Sequence, residues 1–262
     1  YKSTPCVLRE LGAKIHVFNN TPDGLNINRD CGSMHPEEIS RRVKETGAHV
    51  GIAHDGDADR LVLCDETGEI LDGDEILAIA GTDCLARGQL RQNTLVATIM
   101  SNLGLDECIA QWGGRVVRTK VGDRYVIEEM RRNGYNLGGE QSGHIIFGDY
   151  TTTGDGIISA LQILRAMIES GKPLSELRRV MHRYPQKQLN VVVRERKPLD
   201  NLPRIQAALG DAERQLGNTG RVLLRYSGTE PKIRLLLESR DGTHLEGIAA
   251  SIAAAIGEDL GT

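Results

Sequence analysis

No stretch of this sequence is apolar for long enough to cross a membrane. A basic excess is missing as well. Lys and Arg number 32 against 36 Asp and Glu, a net charge of −4, which gives no electrostatic footprint for nucleic acid. The sequence also lacks a disulfide frame. Its five cysteines, Cys6, Cys31, Cys64, Cys84 and Cys108, are odd in number, include no C-x-x-C pair and mostly sit in apolar stretches. They point to a reduced, cytoplasmic interior and not to a zinc site. The opening Tyr1-Lys2-Ser3-Thr4-Pro5 has neither a methionine nor a signal-like segment, and reads as the inside of something larger. With 262 residues, two or three small cores are expected.

What the sequence does have is Asp55-Gly56-Asp57-Ala58-Asp59-Arg60. Three carboxylates occupy alternate positions, and like charges this close stay ionised together only around a cation. Oxygen ligands alone select a hard ion, Mg²⁺ first. An EF-hand loop would place Glu66 at its twelfth position, but Arg60 stands where the sharp turn needs glycine. Leu61-Val62-Leu63-Cys64 then reads as a buried strand. The plain alternative is a solvated acidic turn.

In chain order, Pro5 to Leu11 reads as a short helix and Ile15-His16-Val17-Phe18 as a strand, followed by a turn from Asn19 to Gly24. His35-Pro36-Glu37-Glu38 opens a helix that runs to about Gly47, and Val50 to Ala53 is a strand leading to the acidic loop. An apolar helix from Glu75 to about Ala86 follows. The plan then repeats: strand Leu95 to Met100, helix Leu105 to Gln111, and Gly113-Gly114-Arg115-Val116-Val117 echoing Gly12 to Val17. Asn136-Leu137-Gly138-Gly139 delivers Glu140 as Val50 to His54 delivers Asp55, and Ile145-Ile146-Phe147 leaves. After helices from Ile157 to Ser170 and Leu174 to His182 comes a smaller unit. It has strands Leu189–Arg194, Arg221–Tyr226 and Lys232–Glu238, a helix Pro203–Leu216, and a last helix with Thr243-His244-Leu245-Glu246 as capping box. The expected fold class is α/β: two related mixed-sheet α/β domains, the first incomplete, followed by a smaller α+β C-terminal domain.

Two further loops carry chemistry. Arg225-Tyr226-Ser227-Gly228-Thr229-Glu230-Pro231-Lys232-Ile233-Arg234 offers hydroxyls, backbone N–H groups and guanidiniums of the kind that hold a phosphate dianion. A plain β-turn of Ser, Gly and Pro is the equal alternative. Gly138-Gly139-Glu140-Gln141-Ser142-Gly143-His144 sets Glu, Ser and His at alternate positions, able to meet sugar hydroxyls or an amine with an imidazole nearby. Taken alone, His144 reads first as an ordinary surface histidine.

The order DGDADR, KVGDRYV (Lys120 to Val126), GGEQSGH and RYSGTEPKIR resembles the α-D-phosphohexomutase superfamily over essentially the whole chain. Gln141 between Glu140 and Ser142, with Gly228 and Glu230 in the last loop, resembles the branch that interconverts glucosamine 6-phosphate and glucosamine 1-phosphate. The resemblance implies four domains around one cleft, the first three related. Asp55, Asp57 and Asp59 would bind Mg²⁺ with a phosphorylated serine, and Arg60 would lie by that phosphoryl group. Glu140 and Ser142 would hold the sugar, with His144 near the reacting oxygen. Arg225, Ser227, Gly228, Thr229 and Arg234 would grip the non-transferring phosphate, and Lys120, Asp123 and Arg124 would lie on a fourth cleft loop. The family's Ser/Thr-Ala-Ser-His-Asn-Pro loop has no counterpart here: Ser33, Ser101, Ser142 and Ser227 all have other contexts. The expectation is therefore a C-terminal fragment, inactive alone, with residues 1–72 as the rest of a second domain, 73–185 as a third and 186–262 as a fourth. Its partner would be a small phosphosugar, with a homodimer as the one protein assembly the reading admits, and neither nucleic acid nor a membrane. Related mutases of mannose or glucose phosphates, an aspartate-nucleophile phosphatase using Asp55 and Asp57, and a non-catalytic phosphosugar-binding module stay open beside it.

Overall fold

The computed structural model describes residues 1–227 and 230–261, which divide into two compact units. The first comprises Tyr1–Ser101 and Leu105–His182, the second Asn102–Gly104 and Arg183–Thr262.

In the first unit, α1 (Ser3–Glu10) and α2 (Pro36–Thr46) precede an antiparallel sheet of β1 (Val50–His54), β2 (Leu61–Asp65) and β3 (Ile70–Leu71), in that order. α2 starts on Pro36 with Glu37 and Glu38 in its first turn, and Gly47 closes it in the left-handed conformation that Gly adopts without strain. Next comes α3 (Gly73–Ala86), buried at eleven of its fourteen residues, so it is a core pillar and not a surface helix. It packs against α6 (Gly156–Ser170) and on both sheets of the unit.

The second sheet has the order β5-β4-β6-β7, with strands β4 (Thr94–Thr98), β5 (Arg115–Thr119), β6 (Leu137–Gly139) and β7 (Ile145–Phe147). β4 runs parallel to both its neighbours, and β7 returns antiparallel to β6. The period of two is plain in its packing. Leu95, Ala97, Ile145 and Phe147 face α3 and α4 (Leu103–Gln111), while Val96 and Ile146 meet Val126 and Met130 of α5 (Asp123–Asn133) on the other side. The short α7 (Leu174–Leu177) leads into a tight turn whose Arg178 reaches back to Asp65 and Glu75.

The second unit is β8 (Gln186–Val192), α8 (Pro203–Leu216), β9 (Gly220–Tyr226), β10 (Lys232–Ser239) and α9 (Leu245–Leu260). Its sheet is antiparallel with β10 in the middle. Ile233, Leu235 and Leu237 alternate inward against Ile205 and Leu216 of α8 and Ile248, Ile252 and Ile256 of α9.

Several local expectations fail for identifiable reasons. Ile15–Phe18 forms no strand among the described residues: it finds no ladder partner, and the Phe18 ring lies 4.3 Å from the Arg42 guanidinium. The expected Thr243 capping box is absent. Asp241 Oδ1 takes both the N–H and the hydroxyl of Thr243, and this local turn leaves His244, in left-handed backbone, at the start of α9. A capping box is present instead at Asp72, which accepts from the N–H of Asp74 and Glu75 while the Glu75 carboxylate takes the Asp72 N–H. The helix α5 goes unread in the sequence, because Lys120 to Val126 looks like loop throughout.

The Asp72→Ala variant should lose about 1–2 kcal/mol of stability, the usual cost of an N-cap with its reciprocal partner. Urea unfolding followed at Trp112, the sole tryptophan, measures it. An unchanged midpoint would mean that burial alone sets the start of α3.

Candidate functional site

The acidic loop joins β1 to β2, and its conformation is held from three sides. His54 Nδ1–H donates to the Arg60 carbonyl at 3.0 Å, which fixes the tautomer, and Nε2 then accepts from the Thr4 hydroxyl at 3.1 Å. Burial holds the His54 pKa below the ordinary range, in keeping with a neutral ring. Ala58 sits at φ +61°, a costly conformation for a residue with a Cβ, and the Gly156 N–H pins its carbonyl at 2.9 Å. The Arg60 N–H donates to Asp55 Oδ1 at 3.2 Å, and Arg60 Nε lies 3.7 Å from Asp55 Oδ2.

Within this frame Asp55, Asp57 and Asp59 each offer an oxygen within 4.8 Å of the others. Asp59 has its pKa raised, first by burial and then by Asp55 beside it. One of its oxygens, Oδ1, is buried with no hydrogen-bond partner among the described residues. A buried, partnerless carboxylate oxygen beside two other carboxylates is costly in water alone and suited to a hard cation. The donor set therefore fits Mg²⁺. Asp57 is exposed, as in a solvated turn, whereas only 11% of the Asp55 side chain is exposed and one Asp59 oxygen is buried.

The loop from Glu140 to His144 joins β6 to β7 and comes directly onto the acidic loop. The Leu61 N–H donates to the Gly143 carbonyl at 3.0 Å, and Arg60 and His144 form an antiparallel bridge. Gly143 has φ +91°, and a Cβ there would overlap the Leu61 carbonyl oxygen, so no other residue fits without displacing β2. His144 is not a surface residue. It is 3% exposed, its ring backed by Gly154, with Nε2 3.4 Å from Asp59 Oδ2 and 4.0 Å from Asp123 Oδ2.

Glu140 Oε1 accepts the Gly122 N–H at 2.9 Å, which ties this loop to the Lys120–Arg124 segment. Gln141 turns away, its carbonyl taking the Gly73 N–H at the start of α3. Ser142 is exposed at the tip. Two loops and the start of α5 thus converge and bring Asp55, Asp57, Asp59, Arg60, Glu140, His144 and Asp123 together. Lys120 and Arg124 stay exposed, Arg124 pairing with Glu128. Asp123 and Arg124 begin α5 and do not belong to a loop. Sequence reading missed His54 and Gly156, whose roles exist only through contacts made far along the chain.

In the second unit the turn between β9 and β10 places Arg225 directly opposite Arg234. Like charges in that register repel. The Arg225 side chain makes no hydrogen bond or ion pair among the described residues, and burial together with Arg234 lowers its pKa. Arg234 has only a 3.4 Å approach to Glu230, which is itself paired with Lys232 at 2.8 Å. Ser227 is buried, its N–H bonded to the Lys232 carbonyl at 2.8 Å and its hydroxyl accepting the Glu230 N–H at 3.4 Å. Gly228 and Thr229 lie outside the described residues. A plain turn gives no reason for two opposed guanidiniums, whereas a bound dianion neutralises both.

Residues 72–184 match the family described as phosphoglucomutase/phosphomannomutase, alpha/beta/alpha domain III, and residues 189–255 match its C-terminal domain. The phosphoglucosamine mutase of Myxococcus xanthus is 54% identical over 260 residues, 99% of this chain and 57% of its own length. That of Syntrophotalea carbinolica is 54% identical over 261 residues, with the same 57% of its length covered. The chain thus spans little more than half of these curated relatives. Among solved structures, a phosphoglucomutase/phosphomannomutase family protein from Burkholderia thailandensis superposes with TM-score 0.80 at 22% identity, over 98% of this chain and 57% of that one. The Aspergillus fumigatus N-acetylphosphoglucosamine mutase in complex with GlcNAc-6P and magnesium gives 0.74 at 22% identity, over 95% and 62%. At these identities the structural likeness carries the fold.

The Asp57→Asn variant should bind Mg²⁺ more weakly while being no less stable without it, because one repelling charge is gone. Thermal unfolding with and without Mg²⁺ reads both effects, since a ligand of the folded state raises the midpoint. An equal Mg²⁺-dependent rise in both proteins would remove Asp57 from the site.

Proposed function

Because this chain belongs to the phosphoglucomutase/phosphomannomutase family, we propose that the whole protein is a phosphoglucosamine mutase. Such an enzyme interconverts glucosamine 6-phosphate and glucosamine 1-phosphate through a phosphoserine and a bisphosphorylated sugar. The amino-sugar choice is supported by curated relatives above 50% identity that carry that activity in their names. The observation that supports the chemistry most is the convergence in the first unit: three clustered carboxylates, one of them 3.4 Å from His144 of the neighbouring loop.

Each residue has a distinct task in this reading. Asp55, Asp57 and Asp59 hold Mg²⁺, which when bound offsets negative charge on the phosphoryl group in transit. Arg60, anchored through its N–H to Asp55, presents its guanidinium to the same phosphoryl oxygens. Glu140 and Ser142 hold sugar hydroxyls or the amine, and His144 Nε2 takes or returns the proton of the hydroxyl that gains or loses phosphate. Lys120, Asp123 and Arg124 line the entry to these groups. Arg225, Ser227, Gly228, Thr229 and Arg234 grip the phosphate that stays on the sugar, so the ring can present either end while one anion site serves both orientations. Phosphoryl transfer of this kind asks mainly for positioning and charge neutralisation. The serine that carries the phosphoryl group is not within these 262 residues.

A cytoplasmic setting agrees with the thiols. All five cysteines are free, and burial pushes Cys64, Cys84 and Cys108 up to about 11, as suits a reducing compartment where thiols stay unpaired.

The test is a calorimetric titration of this chain with glucosamine 6-phosphate in Mg²⁺, beside a coupled assay for glucosamine 1-phosphate. Binding without turnover is expected. Arg225→Lys and Arg234→Lys should each weaken binding by roughly 1–3 kcal/mol, the scale of a charged hydrogen bond, because lysine loses the forked fit. Unchanged binding in both variants would reduce the arginine pair to a surface feature. Turnover above background would place the phosphoryl carrier inside this chain.

A further inference from the structure

Arg178 follows α7, and its seat is fastened to the turn between β2 and β3. Ser175 gives that turn's Glu66 both its N–H, at 3.3 Å, and its hydroxyl, while Leu174 and Met181 on either side are buried in the core of the unit. From this seat the Arg178 guanidinium reaches three acceptors. Nη1 donates to Asp65 Oδ2 at 3.2 Å and Nη2 to the Ile70 carbonyl at 3.2 Å, and Nε and Nη2 both donate to Glu75 Oε1, at 2.9 and 2.7 Å. Both carboxylates are buried, Asp65 at 1% exposure and Glu75 at 6%.

A buried carboxylate needs donors or an opposite charge to stay ionised. Asp65 has further support, since its Oδ1 accepts the Thr67 and Glu69 N–H groups at 2.9 and 3.0 Å. For Glu75 the one paired cation among the described residues is Arg178. Burial raises the Glu75 pKa, and Arg178 opposes the rise.

What Glu75 holds in turn is the start of α3. Its Oε2 accepts the Asp72 N–H at 3.4 Å, which fixes the peptide unit before Asp72. Asp72 Oδ1 accepts the N–H groups of Asp74 and Glu75, which fixes the units after Gly73. The peptide between them carries the Gly73 N–H, and this donates to the Gln141 carbonyl at 3.0 Å. The approach is tight: a Cβ on Gly73 would lie 2.1 Å from the Glu140 carbonyl oxygen and 2.7 Å from the Gly143 nitrogen. A turn of that one peptide would therefore either strike the Glu140–Gly143 backbone or let it go.

Resting on the reading of the Glu140–His144 loop as the sugar-binding loop, we propose that Arg178 is a positioning residue for that loop, holding Glu75 so that the first turn of α3 seats the Gln141 carbonyl. Arg178 acts through Glu75 and Gly73, and its donors are spent on its own unit and not on the sugar.

The experiment follows amide hydrogen exchange at Asp72 and Gly73, whose N–H groups are the two links, in the chain and in Arg178→Met. Glucosamine 6-phosphate and, separately, inorganic phosphate are then titrated. Arg178→Met should speed exchange at both amides roughly tenfold and weaken glucosamine 6-phosphate, read by the amide shifts of Gln141 and His144, to a similar degree. Inorganic phosphate, read at Arg234 of the second unit, should bind both proteins alike. Adding Glu75→Gln to Arg178→Met removes the need for a counter-charge and keeps an oxygen for the Asp72 N–H, so this double variant should return to within about threefold of the parent in both readings. Parent-like exchange at Gly73 in Arg178→Met overturns the proposal. Faster exchange there with unchanged glucosamine 6-phosphate affinity overturns it too, leaving Arg178 a contact of the fold alone. If Arg178→Met speeds exchange throughout β2 and β4, the double variant decides: recovery at Gly73 and in binding upholds the role, and continued opening of both strands refutes it. No response of Gln141 or His144 to glucosamine 6-phosphate in the parent, with phosphate still bound at Arg234, is a failure of the sugar reading itself and takes the role of Arg178 with it.

Discussion

The hydrogen bond from the Leu61 N–H to the Gly143 carbonyl is the constraint on which the first unit's chemistry depends. It closes the end of β2 onto the loop between β6 and β7, and it forms only because Gly143 has no Cβ to strike Leu61. Once that approach is made, the Arg60–His144 bridge follows, and the His144 ring is carried to 3.4 Å from Asp59. α3 adds a second anchor, since its first N–H at Gly73 bonds the Gln141 carbonyl and its own start is fixed by Asp72 and Glu75. The loops are therefore placed by packed elements and not by their own preferences, as a site requires if its groups are to keep their positions.

Each unit also holds like charges together. In the first, three carboxylates share a space of a few ångströms; in the second, Arg225 faces Arg234 across two strands. Neither arrangement lowers the energy of the bare chain. Both would be relieved by an ion of opposite sign, which in the proposed reading is a metal cation in one case and a phosphate in the other. Folding maintains the repulsion through ordinary means: a strained Ala58 pinned by Gly156 in one unit, a central β10 whose Ile233, Leu235 and Leu237 pack into the core in the other.

Much of this was legible in the residues. The acidic loop between two strands, the helix from Pro203 to Leu216 and the hairpin carrying Arg225 and Arg234 follow from local pattern, and local pattern is what these elements obey. What escaped depends on partners distant in sequence. Nothing beside His144 announces that Gly154 and Asp59 will bury it, and nothing beside His54 announces that it clasps Arg60 and meets Thr4. Ile15–Phe18 has a strand's composition but no neighbour to pair with, and Thr243 has a capping residue's chemistry but a nearer carboxylate in Asp241. α5 begins at Gly122 with no side-chain cap, so its first turn carries no start signal beyond Asp123.

The coupling between the acidic loop and the Glu140–His144 loop is most directly tested by an NMR titration of Mg²⁺ into the parent chain and into Gly143→Ala. With the bridge intact, Mg²⁺ should shift the amides of Gly143 and His144 together with those of Asp57 and Asp59. In Gly143→Ala, strained by its left-handed backbone at a cost of about 1–3 kcal/mol, the shifts should stay within the acidic loop and the affinity should fall. Equal affinity and the same spread of shifts in both proteins would contradict the dependence of the metal loop on that contact.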